Sequence, residues 1–152
     1  MIFTMVEIKV KLIEKMAQLP RFAKDGDVCA DLTSIQSQVI GPGEFATIRT
    51  GIAIELQPGW EAQLRPRSGL AAEYGIFMTN SPGTIDSGYR GEIKVLLANF
   101  SKVPFSIIAG NRIAQMAIRE VPYVSFCESE KPILDFISET VRGTSGLGST
   151  GF

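Results

Sequence analysis

The chain has 152 residues, 45% of them apolar, and a net charge of −1. These values are typical of one folded domain with its own core, and they exclude an intrinsically disordered chain and a broadly basic nucleic-acid-binding surface. The sequence contains no histidine, which excludes a histidine general base, a Ser-His-Asp triad and a histidine-ligated metal.

The first twelve residues, MIFTMVEIKVKL, have no continuous apolar run, so we expect neither a signal peptide nor a membrane span. Within them, Val6 to Leu12 alternate apolar and charged side chains, which predicts a half-buried first strand. Two cysteines, Cys29 and Cys127, fit neither a disulfide framework nor a four-ligand zinc site. We therefore expect reduced thiols and a cytoplasmic protein.

Asp31 lies between apolar residues in the stretch VCADLTS. One interpretation is a core carboxylate whose hydrogen bonds are satisfied within the protein. The other is a carboxylate that belongs to a functional site.

The alternating pattern returns at 46–56, 92–99 and 112–119, and PG, GPG and AGN turn signals separate the runs. Helical periodicity is present only around Leu70 to Tyr74, where Gly75 closes the turn. The sequence therefore predicts an all-β protein with one short helix, built as a barrel or jelly roll. We expect a single domain over residues 1–152.

The stretch RPRSGLAAEYG places Arg67 and Ser68 just before the predicted helix, and Gly69 lets a ligand come close to the backbone. A guanidinium, a hydroxyl and backbone N–H groups at a helix start together satisfy phosphate oxygens. The pattern therefore predicts an anion site. The alternative is an ordinary turn with surface charges.

Asp86 and Tyr89 lie in the turn-rich segment TNSPGTIDSGYRGEIKV. Its glycines, serines and proline predict a hairpin whose main-chain groups face a ligand. An aspartate in such a segment can also act simply as a turn former that bonds its own backbone.

Arg112 and Gln115 interrupt an apolar strand in AGNRIAQMAI. Since burying either side chain unpaired costs several kcal/mol, we expect both to be buried and paired. Their partners are either neighbours across the sheet or a ligand.

The chain ends in RGTSGLGSTGF. Its glycine spacing resembles phosphate-binding loops, but no helix follows it, and Ser149 occupies the position where a Walker loop has lysine. The stretch is therefore either a disordered terminus or an arm in which Arg142 contacts an anion. The chain therefore offers three guanidinium groups, on Arg67, Arg112 and Arg142, and two carboxylates, on Asp31 and Asp86. Together these groups suit a polyanion with a divalent cation and a base for water.

Five of these stretches, CADLTS, PRSGLA, GTIDSGYRGEIKV, GNRIAQ and RGTSGLGSTG, resemble the five motifs of the trimeric dUTPase family, in the family's order. The resemblance implies a distorted jelly-roll barrel that hydrolyses dUTP to dUMP and pyrophosphate with Mg²⁺. This reaction limits uracil incorporation into DNA and supplies dUMP for thymidylate synthesis. The resemblance also implies a homotrimer with shared active sites, each closed by an arm of about residues 142–152 from a neighbour.

By this resemblance, Asp86 is the general base that activates the water attacking the α-phosphorus. Magnesium has no direct protein ligand, and Asp31 orients its waters. The resemblance also implies the substrate-binding residues. They are Arg67, Ser68, Gly69, Arg112, Gln115 and Arg142 for the phosphates, Asn80, Thr84, Ile85 and Lys94 for the uracil side, Tyr89 under the deoxyribose, and Leu147 and Gly148 in the arm.

One position departs from the family pattern. Most members carry an aromatic residue that stacks on the uracil where this chain has Leu147. Stacking on an aromatic ring is worth about 1–3 kcal/mol per base, so we expect weaker substrate capture with the hydrolytic step retained.

Three alternatives remain at this point. A dCTP deaminase of the same fold has a second serine and a following arginine where this chain has Gly69 and Ala71, so PRSGLA favours the diphosphatase. A catalytically silent nucleotide-binding homologue has no need for Asp86 as a water-activating carboxylate. A structural jelly roll has no need for three arginine-bearing stretches beside Asp86.

Overall fold

The structure is a computed structural model that describes residues 5–146. The described residues fall into two compact units, one ending at Pro122 and the other beginning at Tyr123. The prediction of a single domain with an arm from about residue 142 stays a prediction, since this boundary lies earlier in the chain. None of the helices in residues 5–146 is long and apolar enough to cross a membrane.

The first unit contains eleven strands and one helix in its described residues. These elements are β1 (Lys9–Leu12), β2 (Ala30–Thr33), β3 (Gln38–Ile40), β4 (Phe45–Arg49), β5 (Ile52–Glu55), β6 (Trp60–Arg65), α1 (Ser68–Tyr74), β7 (Ile76–Met78), β8 (Gly83–Ile85), β9 (Lys94–Asn99), β10 (Phe105–Ile107) and β11 (Arg112–Glu120).

The strands pair in antiparallel ladders that form four sheets. The largest has the order β2-β11-β6-β8, and a three-stranded sheet has the order β4-β9-β7. Two-stranded sheets pair β1 with β5 and β10 with β3. The predicted all-β jelly roll is confirmed, and the predicted helix is confirmed as α1.

The core of this unit draws apolar side chains from all four sheets. Leu64 comes from the four-stranded sheet, Ile48 from the three-stranded sheet, Ile52 from β5 and Ile40 from β3, each at most 1% exposed. Burying a side chain of this size contributes about 1.5–3 kcal/mol. This core fixes the strand ends on which the site residues lie.

Asn99 is a buried polar residue at the end of β9, 1% exposed. Its amide donates to the carbonyls of Ile40 and Val103 at 2.9 and 2.8 Å, and its Oδ1 accepts from the Ser101 N–H and hydroxyl. Because all of its side-chain polar atoms are hydrogen-bonded, burying Asn99 leaves no polar group unpaired. Its bond to Ile40 also connects β9 to β3.

Two strand predictions need correction. The first strand begins at Lys9 rather than Val6, and Leu12 is 44% exposed. The predicted run 46–56 is two strands, because Gly51 adopts a left-handed φ of +69° between them. A Cβ at Gly51 would lie 2.9 Å from that of Ala17, so the position requires glycine.

The second unit contains a helix that the sequence pattern did not predict, α2 (Ile133–Ser138). It follows Pro132 and extends over six residues, which is too short for a clear helical period. Its carboxyl end is followed by a turn in which the Gly143 N–H donates to Thr140.

Candidate active site

Asp31 lies between two arginines in the structure. Its Oδ1 accepts a hydrogen bond from Arg67 Nε at 3.1 Å, and its Oδ2 accepts one from Arg112 Nη1 at 3.0 Å. Arg67 Nη1 also donates to the Arg112 carbonyl at 3.2 Å. We call these three residues the arginine cluster. Since two cations share one carboxylate, the cluster keeps one net positive charge.

Strand register brings the arginine cluster together. On β11, Gln115 lies opposite Asp31 on one side and Arg65 on the other. Its amide donates to the Pro66 carbonyl at 3.0 Å, which fixes the chain where it leaves β6 for α1. Gln115 is half-buried and has a partner across the sheet, as predicted. Arg112 is exposed rather than buried, because it begins β11 at the sheet end.

Ser68 and Gly69 extend the arginine cluster into a shallow cleft. Both residues are exposed, and a Cβ added at Gly69 would meet no atom within 4 Å. Nothing in the described chain therefore requires glycine at this position. The cleft has ten lining residues. They are Ala23, Asp27, Val28, Cys29, Asp31, Arg67, Ser68, Gly69, Arg112 and Gln115.

The electrostatics of this cleft favour an anion with several oxygens. Guanidinium groups offer planar, fixed donors that match phosphate geometry. Asp31 holds the two guanidinium groups in place, and its side chain is only 15% exposed. The part of the chain that the structure describes has no group of three or more Asp, Glu, His or Cys side chains that could hold a metal ion. The cleft is therefore suited to a phosphate chain.

Asp86 is exposed and follows β8 directly. The Tyr89 N–H donates to the Asp86 carbonyl at 3.0 Å, and the Tyr89 hydroxyl donates to the Glu92 carbonyl at 3.0 Å. A Cβ at Gly91 would lie 2.6 Å from Tyr89 Cζ, so glycine leaves the space that the tyrosine ring occupies.

The predicted hairpin around Asp86 is wrong. In residues 5–146, β7 pairs with β9, whereas β8 pairs with β6 in the other sheet. The segment between β8 and β9 therefore crosses from one sheet to the other. The reason is the pairing of the flanking strands, which depends on distant parts of the chain and not on the turn residues.

The predicted base-side residues lie around β8 and at the start of β9. Thr84 is exposed and Ile85 half-buried on β8, and Asn80 is exposed with its amide close to Gly83. Lys94 is exposed, opposite Arg49. Because β8 is at the edge of its sheet, its outer backbone groups can pair with a ligand.

Asp86 and the arginine cluster lie toward opposite ends of the β6–β8 ladder. Ile85 is opposite Ala62, near the start of β6, so Asp86 leaves the ladder there, whereas Arg67 follows the end of β6. Arg67 is five positions beyond Ala62, which corresponds to about 15 Å of extended backbone. Asp86 and Arg67 therefore leave this pair of strands at different ends.

Arg142 belongs to the second unit. It is exposed, and its Nε donates to the Ser145 carbonyl at 3.1 Å within a turn. The two arm residues Leu147 and Gly148 lie outside the described residues, so their predicted roles stay predictions.

Three further residues that no motif indicates support this region. Arg90 donates to the carbonyls of Ser87 and Tyr89. The Glu92 carboxylate accepts from Arg49 Nε at 3.1 and 3.0 Å. Arg90 and Glu92 have a signal in the sequence, the run YRGE, which places two charges in a segment between strands, whereas Arg49 has none.

Arg49 forms ion pairs with two glutamates. Hydrogen bonds to Glu14 and then to Glu92 raise the pKa of its guanidinium above the ordinary value. Arg49 therefore stays charged, and it links β4 to the segment that follows Asp86.

Comparison with known proteins gives a family match over almost the whole chain. The dUTPase family profile matches residues 6–151. The deoxyuridine 5'-triphosphate nucleotidohydrolase of Alkaliphilus metalliredigens is 49% identical over 147 residues, which is 97% of this chain and 99% of that protein. The protein of the same description from Thermobifida fusca is 45% identical over 99% of this chain and 82% of its own length.

Solved structures give the same fold. The dUTPase of Staphylococcus bacteriophage 80alpha with dUPNHPP superimposes with a TM-score of 0.86 at 25% identity, covering 96% of this chain and 99% of that one. A variant dUTPase from phage phi11 of S. aureus, described with a structural Mg(II) ion, has a TM-score of 0.77 at 22% identity and covers 83% and 98%.

Proposed function

Because this chain belongs to the dUTPase family, we propose that it hydrolyses dUTP to dUMP and pyrophosphate, using a water molecule activated by Asp86. The family match over residues 6–151 is the observation that carries this function. The arginine cluster and the exposed Asp86 supply the chemistry that the reaction needs.

The phosphate chain binds in the cleft of the arginine cluster. Arg67, Ser68 and Gly69 contact the α- and β-phosphates, with Arg112 and Gln115 beside them. The charge-assisted contacts of Asp31 support this role, because they hold both guanidinium groups in place before the nucleotide arrives. Arg142 contacts the terminal phosphates from the arm.

Asp86 acts as the general base. Its exposure lets a water molecule reach the carboxylate, which removes a proton as the water attacks the α-phosphorus. The bond between the α-phosphorus and the bridging oxygen breaks, and pyrophosphate leaves. A positioned general base contributes about 10²- to 10⁴-fold to such a step.

The active site is shared among three copies of the chain. One copy supplies the arginine cluster, a second supplies the Asp86 segment, and a third supplies the arm. The separation of about 15 Å along the chain from Ala62 to Arg67 supports this arrangement, because a second copy can bring its Asp86 to phosphates held by Arg67.

Specificity for the nucleoside comes from β8 and the segment after it. The free backbone edge of β8 suits the donors and acceptors of uracil, with Asn80, Thr84 and Ile85 beside it and Lys94 nearby. Backbone packed against the base leaves no room for a thymine methyl group. Tyr89 lies under the deoxyribose, where a 2′-hydroxyl would clash.

The residues present fit a magnesium ion that arrives with the nucleotide. Mg²⁺ keeps several waters and binds phosphates rather than a cage of side chains, and the described residues offer no such cage. Asp31 and Asp27 line the cleft, and Asp31 would accept hydrogen bonds from metal-bound water. Bound there, the ion would neutralise phosphate charge.

We place the protein in the cytoplasm, which its two free thiols support.

Purified protein mixed separately with dUTP, dCTP and UTP in the presence of Mg²⁺ tests this function. We expect pyrophosphate from dUTP alone, and loss of at least about 100-fold in kcat for Asp86→Asn with little change in KM. Ammonia released from dCTP would identify a deaminase instead. Binding of dUTP without any pyrophosphate release would identify a silent homologue.

A further inference from the structure

The segment 86–91 connects two sheets and has no strand partner in the described chain. Its start is fixed where Ile85 pairs with Ala62. Beyond its end, the Ile93 N–H donates to the Ile52 carbonyl at 2.8 Å, and the Thr50 hydroxyl donates to the Ile93 carbonyl. We call this stretch the crossover segment. Between these ends, its conformation depends on bonds that it makes within itself and on the bond from the Tyr89 hydroxyl to the Glu92 carbonyl.

Arg90 makes two of those bonds. Its Nη1 donates to the Ser87 carbonyl at 2.7 Å and to the Tyr89 carbonyl at 2.9 Å. One cation therefore joins two carbonyls on either side of Gly88, a residue at which a Cβ would meet no atom within 4 Å. Packing does not hold Gly88, so the two halves of the crossover segment are linked by the guanidinium and by the turn bond from the Tyr89 N–H to the Asp86 carbonyl.

We propose that Arg90 is a positioning residue, which holds Asp86 and Tyr89 in the relative orientation needed for water activation and sugar recognition. This inference rests on the proposed function, because it assigns those roles to Asp86 and Tyr89. Arg90 acts through the backbone of the crossover segment, and no contact with substrate is required. A positional error of about 1 Å in a catalytic group can cost roughly 100-fold in rate.

The position of Arg90 argues against a role in overall stability. The residue is exposed, and exposed charged groups contribute little to the free energy of unfolding. The ends of the crossover segment are tied to the sheets independently of Arg90. Removal of its guanidinium should therefore disorder the crossover segment and leave the core intact.

The test compares Arg90→Met, which removes the donors, with Arg90→Lys, which keeps a cation. Lys102→Met is the matched control, because it removes an exposed cation from a different loop. We expect kcat for dUTP to fall by about 10- to 100-fold in Arg90→Met and by less than about threefold in Arg90→Lys. KM should rise no more than about threefold, because the arginine cluster is unchanged. Discrimination against UTP should also weaken, because Tyr89 moves.

Two further measurements separate positioning from folding. In hydrogen exchange, the amides of residues 86–91 should exchange faster in Arg90→Met while the β6 and β11 amides stay protected. Guanidinium chloride at tens of millimolar should restore part of the turnover of Arg90→Ala and leave Lys102→Met unchanged.

The outcomes are distinct. Equal kcat in Arg90→Met and Lys102→Met, or a loss of kcat in Arg90→Met without faster exchange at 86–91, would overturn the positioning role. If the unmodified protein releases no pyrophosphate from dUTP, the proposed function itself fails. If the unmodified protein is active and the Arg90 variants have the same kcat as Lys102→Met, the positioning role is lost but the proposed function stands.

Discussion

Arg67 Nε and Asp31 Oδ1 lie 3.1 Å apart although 36 residues separate them in sequence. The ion pair joins the start of α1 to β2, and the second oxygen of the same carboxylate holds Arg112. A single acidic side chain therefore orients both guanidinium groups of the cleft.

Replacing Asp31 should weaken substrate binding. In Asp31→Asn, both arginines lose their charged partner and must be ordered by the nucleotide itself. We expect KM for dUTP to rise about 10-fold, since charge-assisted hydrogen bonds contribute roughly 1.5–3 kcal/mol each. Steady-state kinetics measure the effect, with Asp25→Asn, an exposed aspartate nearby, as the control. An unchanged KM would show that Asp31 does not organise the phosphate site.

Gly69 offers a test that separates folding from binding. Because a Cβ there meets no atom of the described chain, Gly69→Ala should melt within about 2 °C of the unmodified protein. Because Gly69 lines the cleft, we expect the added methyl group to crowd a bound phosphate and to raise KM for dUTP by at least about fivefold. Calorimetry and kinetics on the same sample measure both. A variant with normal KM would place the phosphates elsewhere.

Sharing of the active site predicts complementation between two inactive variants. Asp86→Asn keeps the arginine cluster, and Arg67→Ala keeps Asp86. When the two are unfolded together and refolded as a one-to-one mixture, about one quarter of the sites in a random assembly should contain both intact parts. We expect about one quarter of the unmodified activity, measured as pyrophosphate release. If the mixture is no more active than its components, each chain carries its own complete site.

Leu147→Phe tests the prediction that the arm covers the uracil, a prediction that rests on the sequence alone. The aromatic face should stack on uracil, and stacking is worth about 1–3 kcal/mol per base. We expect KM to fall by at least about fivefold with kcat nearly unchanged, because the interaction is made in ground and transition states alike. Leu147→Ile, which leaves the position aliphatic, is the control. Equal KM values in all three proteins would mean that the arm does not cover the base.

The sequence predicted the parts of this structure that local pattern controls. Helix α1 has a helical period and ends at Gly75, whose φ of +65° is the left-handed conformation that glycine favours. Strand β11 covers the predicted run 112–119, although its burial does not alternate, since the neighbours Ile113 and Ala114 are both buried. Residue types also identified Asp31, Arg67 and Arg112 as candidates before any contact was known.

The sequence did not predict how those residues meet. Asp31 and Arg112 are 81 residues apart, and their pairing depends on the register between β2 and β11, which local pattern does not specify. The same limit explains the incorrect hairpin, since turn residues alone do not reveal which sheet β9 joins. Helix α2 has no side-chain cap at Pro132, so it lacked the usual start signal.

Because Asp86 and Arg67 lie toward opposite ends of one ladder, a correctly folded chain is not by itself a catalytically active one. Circular dichroism or a melting curve reports on the core, so a diluted monomer with an intact core would give a normal result in either measurement. Under the proposed function, specific activity instead depends on protein concentration, and it should decline once dilution lets the subunits part.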